Sequence, residues 1–304
     1  MSVSKLVKKK IHALKMTSHF LLPREVSRLR DTQFTTSCER FLLIKDDLKG
    51  AGMGWTAKLL TYALLLAHSQ HRVMLEVPTN GRWCEHSPYT FQCYFKEWSN
   101  CTLPRSRPPI TSARAVHSAY HEDVVTLSLE EFHHSGIWYG LGMVIGRVVP
   151  YSTPLLFSPV TRIQLYAESV LRECDMKNLF WTVFLRDSPE KRLEARTLPS
   201  FETYARHIER MGIKTIFWQT SSDHLFRRAV EYSKRNRLKF CYTKNKRYIH
   251  DVWGGRNASL RGISGWVGAL NYALGRRSAG VISPQASMWT WFLHAGLNVS
   301  LLAL

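Results

Sequence analysis

Acidic side chains are scarce in this chain of 304 residues: 23 Asp and Glu face 42 Lys and Arg, for a formal net charge of +19. A basic balance of that size points to polyanionic partners: nucleic acid, acidic membranes or phosphorylated ligands. The excess is uneven. Residues 1–37 carry eight Lys and Arg against two acids, and His224–Arg247 carries nine against one; the plain reading of each run is a solvated helix face. Also missing is any apolar run long enough to cross a bilayer. The longest, "YALLLA", falls well short of the roughly 18–20 residues needed. The N-terminal stretch has no acid before Glu25 and no sustained apolar segment, which excludes a standard secretory signal and leaves a transit-like or surface-binding segment. No CxxC pair occurs, so a zinc ribbon is excluded. Cys84, Cys93 and Cys101 cluster, while Cys38, Cys174 and Cys241 are scattered; sequons at Asn100, Asn257 and Asn298 suit a secreted chain.

What is present is ordinary for a globular protein: 45% apolar residues, enough to bury a full core. The length predicts about two domains. Behind a basic tail, residues 1–37, "RFLLIKDD" reads as a strand and "WTAKLLTYALLLAHSQ" as a helix. "HRVMLEVP" reads as a second buried strand. Strand, glycine loop, helix and strand make a βαβ unit with a parallel sheet. An irregular excursion rich in Cys, Pro and aromatics follows, held by packing or a disulfide. A weaker β/α alternation runs to about Pro159. From "TRIQLYAESVLRECDMKN" the pattern restarts, with strands at "LFWTVFLRDS", "KTIFWQTSS", "RLKFCYT" and "AGVIS" between helices. The reading is an N-terminal β/α domain over 38–158 and a C-terminal Rossmann-like domain over 159–304. Ligands in such folds sit at strand C-terminal ends, and a cleft between the two is expected.

Three places carry candidate chemistry. Gly50, Gly52 and Gly54 lie between the first strand and its helix. Neither G-x-G-x-x-G nor G-x-x-x-x-G-K-[ST] is complete, because Trp55 occupies the third glycine's place. The glycines either let backbone N–H groups approach an anion at the helix start or form a plain turn using glycine for positive φ. Arg186 ends a buried strand and is followed by Asp187, Ser188, Lys191 and Glu194. It can clamp a phosphate with two N–H donors or form a surface ion pair with Asp187 or Glu190. Ser283, Pro284 and Gln285 join a strand to a helix; they suit a phosphate or ribose, or Ser283 is a simple N-cap. His117 and His121 stand four apart, but no third ligand has an obvious place, so they read as ordinary polar residues.

The order of these pieces resembles the GT-B-type fucosyltransferases: core α1,6-fucosyltransferases, Nod-factor fucosyltransferases and protein O-fucosyltransferases. The likeness spans roughly residues 40–295 and is firmest in "NASLRGISG" and "GVISPQASM". It implies a GT-B-like α/β fold of two Rossmann-like domains facing a cleft. It also implies an inverting glycosyltransferase that moves fucose from GDP-fucose to a glycan or protein hydroxyl, without a metal or other cofactor. By the resemblance, Arg186 matches the family's essential arginine on the donor β-phosphate, and Lys191 and Glu194 lie near its Lys/Glu pair, Glu194 as base. Tyr204 matches an aromatic near the donor. Thr220, Ser221 and Ser222 occupy the nucleoside loop. Ser283 and Gln285 match the final phosphate-binding pair, and Gly52 and Gly54 line the donor phosphates. The family's habitat implies the Golgi or endoplasmic reticulum lumen.

The chain departs from the family pattern in places. Phe184 replaces a histidine, Ser221 and Ser222 replace two aspartates, and Trp266 falls near a third; Asp223 is placed to supply one lost acid. Those departures keep open a homologue that binds nucleotide sugar or glycan without turnover. A third reading, a basic nucleic-acid-binding protein, rests on the Lys/Arg runs alone, with no RNA or DNA motif beside them.

Overall fold

The structure is a computed structural model that describes residues 23–48, 52–79, 83–84, 87–105, 109–111, 116, 121–135, 149–176, 179–186, 198–244, 258–284, 287–296 and 300–303. The chain divides into two compact units. Among the described residues, the N-terminal unit lies within Leu22–Val160 and Trp253–Trp266, and the C-terminal unit within Thr161–Val252 and Val267–Leu304.

In the N-terminal unit, helix α1 (Pro23–Gln33) precedes strand β1 (Phe41–Lys45), helix α2 (Met53–Ser69) and strand β2 (Val73–Glu76). β3 (Ile110–Thr111), β4 (Val124–Ser128), α3 (Leu129–Ser135) and α4 (Val149–Leu156) follow. The strands run parallel in the order β2-β1-β4-β3. β1 and β2 are continuous apolar runs because both faces are covered, as a parallel sheet demands. α2 is apolar almost all round and buries thirteen of its residues. Arg72, fully buried at the start of β2, donates from Nη1 to the carbonyls of Phe41 and Asp123. It thereby ties three strands together at their N-terminal ends.

The basic tail read from the sequence is in part a packed element. α1 buries Leu29, and the Gln33 side chain accepts from Met74 N at 3.0 Å and donates to Met74 O. The outer edge of β2 is thus occupied by a side-chain amide, which explains why a polar helix docks there. The aromatic excursion packs on itself. Phe91, Phe95 and Phe157 meet edge to face, Cys84–Cys93 closes its loop, and Cys38–Cys101 fastens it near β1.

The C-terminal unit begins with α5 (Thr161–Glu173) and alternates β5 (Trp181–Phe184), α6 (Phe201–Met211), β6 (Thr215–Gln219), α7 (Asp223–Arg235) and β7 (Lys239–Tyr242). α8 (Ala258–Gly275) belongs to the N-terminal unit up to Trp266 and to the C-terminal unit from Val267, and β8 (Gly280–Ser283), α9 (Met288–Gly296) and β9 (Ser300–Ala303) complete the latter. All five strands are parallel in the order β7-β6-β5-β8-β9. β9 was not anticipated from the sequence. Val183, Leu185, Ile216, Trp218 and Ile282 form a core with Phe201, Tyr204 and Ile208 of α6 and Leu225 and Ala229 of α7. Alternation along the strands sends Thr182, Phe217, Gln219 and Val281 to the opposite face. Capping fixes the helix starts: Ser200 Oγ accepts from Thr203 N at 3.3 Å, and Gly212, in the left-handed region at φ 64°, ends α6. Cys174–Cys241 joins the end of α5 to β7.

Candidate functional site

Strand order decides where this site falls. From β5 the chain lays β6 and β7 on one side, then crosses to place β8 and β9 on the other. The crossovers leaving the C-terminal ends of β5 and β8 therefore diverge, and a crevice opens between those two ends. Arg186 follows β5, and Ser283 closes β8. The arginine and serine singled out in the sequence thus flank one crevice because of topology, although about a hundred residues separate them.

Arg186 is half-buried, and its Nη1 donates to Ser287 Oγ at 2.6 Å. Ser287 is buried and immediately precedes α9; Trp291 N donates to its carbonyl at 3.1 Å. The guanidinium therefore stands at the start of a nine-residue apolar helix with no acid in its first turn, where free N–H groups and the helix dipole favour an anion. Ser283 Oγ is fully buried and bonds to nothing. Ser283 is not the N-cap that the plain reading expected, since it is the last strand residue and Ser287 stands at the helix start. Tyr204 on α6 is buried with an unpartnered hydroxyl. Burial pushes its pKa well above the ordinary tyrosine value, and the nearby Arg186 charge opposes that rise. Arg186 and the partnerless Tyr204 hydroxyl, near enough for the guanidinium charge to act on it, form a polar pair with capacity left for a ligand.

Gln219, buried at the end of β6, braces the crevice's scaffold. Its Nε2 donates to Asn271 O at 2.8 Å, and its Oε1 accepts from Trp289 Nε1 at 3.0 Å. One side chain thus locks β6 to α8 and α9. Thr220, Ser221, Ser222 and Asp223 form the next turn. Ser222 N donates to Thr220 Oγ1 at 3.1 Å, and Ser222 Oγ caps α7 by accepting from Leu225 N at 3.3 Å. Asp223 is exposed in the first turn of α7. Thr220 and Ser222 therefore spend their hydroxyls on the turn itself. Lys191, Glu194 and Gln285 lie outside the described residues, as does His117.

In the N-terminal unit, Gly52 is the N-cap of α2 with φ −74° and ψ 163°. That is extended backbone any residue adopts, so the positive-φ reading does not hold for it. Gly54 lies within the helix, buried in its first turn. Gly50 lies outside the described residues. At the C-terminal ends of β1 and β2 the structure adds groups the sequence reading did not select. Asp46 Oδ2 accepts from Thr90 Oγ1 at 2.7 Å, and Glu76 Oε1 accepts from Thr90 N at 2.6 Å. Asp47 Oδ1 accepts from Ser128 Oγ at 2.8 Å and from Glu130 N at 3.1 Å, pinning α3 to β1. Near the start of α2, Trp55 meets His133 edge to face with centroids 5.1 Å apart, and Lys58 Nζ stands 5.2 Å from the Trp55 ring centre. Among the described residues no three His, Cys, Asp or Glu side chains gather as a metal would require.

No family model and no curated protein sequence matches this chain. Solved structures do. A NodZ alpha-1,6-fucosyltransferase soaked with GDP-fucose superposes with a TM-score of 0.55 at 12% identity, over 85% of this chain and 93% of that one. The fucosyltransferase NodZ from Bradyrhizobium gives 0.52 at 13% identity, over 84% and 92%. POFUT1 in complex with GDP gives 0.51 at 12% identity, over 88% and 99%. A likeness this long at so little identity is one of fold: the chain has a fucosyltransferase-like α/β fold.

Proposed function

We propose that the protein is an inverting, metal-independent glycosyltransferase that moves fucose from GDP-fucose to a hydroxyl of a glycan or protein. The observation that carries this reading is Arg186, held by Ser287 at the start of α9 in the crevice between β5 and β8. Departure of GDP from the anomeric carbon leaves negative charge on the β-phosphate. A guanidinium beside a helix start stabilises that charge more in the transition state than in the ground state. The unpartnered Tyr204 hydroxyl adds a donor near Arg186, and Ser283 at the end of β8 is proposed as a further donor contact. The fold neighbours were solved with GDP or GDP-fucose, which supports the choice of nucleotide. Lys191 and Glu194 are proposed as the assisting cation and the base toward the acceptor, and Gly50, Gly52, Gly54 and Gln285 as further donor contacts. Glu194 would add the roughly 10²–10⁴-fold typical of a general base.

All six cysteines pair, as Cys38–Cys101, Cys84–Cys93 and Cys174–Cys241. Such pairing suits an oxidising compartment and supports a Golgi or endoplasmic reticulum lumen. Among the described residues no helix is long and apolar enough to cross a membrane.

The test is ligand-dependent stability. GDP or GDP-fucose at 100 times its Kd adds about 2.7 kcal/mol, and Arg186→Ala removes that gain while the unliganded melting transition stays in place. GDP-fucose turnover persists in EDTA. Absence of any shift with guanine nucleotides refutes the reading, as does loss of turnover in EDTA reversed by Mn²⁺. The engagement of Ser222 in capping α7, where the related enzymes carry an acid, favours a second reading: a protein that binds the donor without transferring it. A stability gain from GDP-fucose with no turnover on any hydroxyl acceptor selects that one.

A further inference from the structure

The crevice uses the C-terminal edge of the five-stranded sheet; the opposite edge is built from the turns that lead into the strands. Their order is fixed by register. Lys239 N donates to Lys214 O at 2.9 Å, setting the turn before β7 beside that before β6, and Ala279 N donates to Phe180 O at 2.7 Å, doing the same for β8 and β5. Because α5, α6 and α7 each run into a strand of a parallel sheet, their last turns all finish on this edge. Those last turns and the turns after them carry Arg172, Arg210, Lys214, Lys234, Arg235 and Arg237, all exposed.

Two of the local acids are taken up in ion pairs, while Glu209 and Glu231, the latter exposed one turn before Arg235, keep their charge. Asp175 pairs with Lys239 at 2.6 Å, Glu173 with Lys244 at 3.1 Å, and Glu209 accepts from Tyr232 OH at 3.2 Å. None of the six cations joins an ion pair among the described residues. A favourable interaction with helix C-terminal dipoles accounts for cations in a last turn, but Lys214 and Arg237 lie beyond their helices. Among the described residues six cations on one edge thus outnumber the two acids, Glu209 and Glu231, that keep their charge beside them, and the excess attracts polyanions.

We infer that this edge binds a sulfated or carboxylated polysaccharide. Four of the six cations are arginines, whose planar forks match sulfate and carboxylate oxygens in pairs. The disulfide Cys174–Cys241 lies in this edge's own framework, so the surface belongs to an oxidising compartment. Nucleic acid is not the polyanion there, and the strongly anionic bilayer leaflet is the cytoplasmic one. No exposed aromatic side chain stands on the described residues of these turns, so the platform on which single-stranded bases stack is missing. The edge lies a full strand length from Arg186, roughly 15 Å, and its occupant does not compete with a nucleotide. The inference stands whether or not the protein transfers fucose.

The experiment measures binding of a heparin-derived oligosaccharide by fluorescence anisotropy at several salt concentrations. Three proteins are compared: wild type; the triple variant Arg210→Glu, Lys214→Glu, Lys234→Glu; and a control, Arg28→Glu, Arg30→Glu, Lys96→Glu, that changes the net charge equally at exposed positions of the N-terminal unit. The edge variant binds at least about tenfold more weakly, and the slope of log affinity against log salt falls by roughly one for each sulfate or carboxylate that the variant no longer neutralises. The control changes less than about threefold, and saturating GDP changes nothing. Should the Glu variant fail to fold by circular dichroism, the corresponding Gln variant is measured. Equal losses in both variants overturn the proposal in favour of net charge alone. A single-stranded RNA bound more tightly than the oligosaccharide also overturns it. So does binding to phosphatidylserine vesicles that Leu179→Ser abolishes, since Leu179 is 80% exposed on the same edge and would then be a membrane wedge.

Discussion

Replacing Glu76 with glutamine should make the protein more stable at alkaline pH, by an amount set by one buried proton. Glu76 closes β2 opposite Ile44 and is 2% exposed. Its Oε1 accepts from Thr90 N, its Oε2 meets no partner, and Asp46 grips the same threonine by its hydroxyl. Burial penalises the charged form and pushes the pKa from 4.5 to about 8, with Asp46 adding to the rise and the Thr90 hydrogen bonds opposing it. The carboxyl is therefore protonated at neutral pH.

The direction of the effect follows from proton counting. Between pH 4.5 and about 8 the unfolded chain has lost this proton while the native chain keeps it, so stability falls as pH rises. The contribution is complete below the unfolded value and gone once the folded value is passed. At about 1.4 kcal/mol per pH unit, the window amounts to at most about 5 kcal/mol. Glutamine keeps an acceptor for Thr90 N and removes the charge that Oε2 would carry. The assay is equilibrium urea unfolding of wild type and Glu76→Gln at intervals from pH about 5 to about 9, taking the difference at each pH so that every other titrating group cancels. The difference should grow toward high pH by several kcal/mol. A difference that stays constant within about 0.5 kcal/mol refutes the reasoning, for Glu76 would then be ionised throughout and the pair compensated by groups not counted above.

Further outcomes concern the crevice and its scaffold. Ser287→Ala should weaken GDP binding about three- to tenfold, the worth of one hydrogen bond, while Ser287→Thr restores it; full affinity in the alanine variant would show that Arg186 is held without it. Gly280→Ala should cost about 1–3 kcal/mol by overpacking, because the new Cβ would stand 2.3 Å from the Trp181 ring, and a Trp181→Leu background should relieve the loss. Removing the Cys174–Cys241 bridge by a double serine substitution opens a 67-residue separation and should cost up to about 4 kcal/mol in denaturant unfolding; an unchanged midpoint would mean that α5 is held to β7 by packing alone.

Much of the fold was legible because long periodic runs state their own type. α2 and the β/α alternation after Thr161 appear close to where "WTAKLLTYALLLAHSQ", "KTIFWQTSS" and their neighbours put them. Elements that draw their stability from neighbours were not legible. β3 is two residues long and β9 four; neither has a pattern distinct from a loop, and both are strands only because a parallel partner is already there. α1 hid within a charged tail because the anchors among its described side chains, Leu29, Thr32 and Gln33, are mostly polar. In the crevice, Arg186 announced itself by following a buried strand. Ser287 did not, although a serine just before an apolar helix is a usual helix-start signal; Ser283 offered the same signal four residues earlier and drew the assignment. Glu76 and Asp46 were invisible as a pair, since their meeting depends on β1 and β2 lying side by side and on Thr90 reaching both.

The clasp between Gln33 and Met74 carries a practical warning for anyone shortening the molecule. A chain trimmed to begin at the first strand would discard what looks like dispensable positive charge and leave a row of bare amides and carbonyls along the flank of β2. Such a flank recruits whatever extended segment comes near, so the trimmed protein should gather into soluble clumps, whereas one that retains Pro23–Gln33 should elute as a single species.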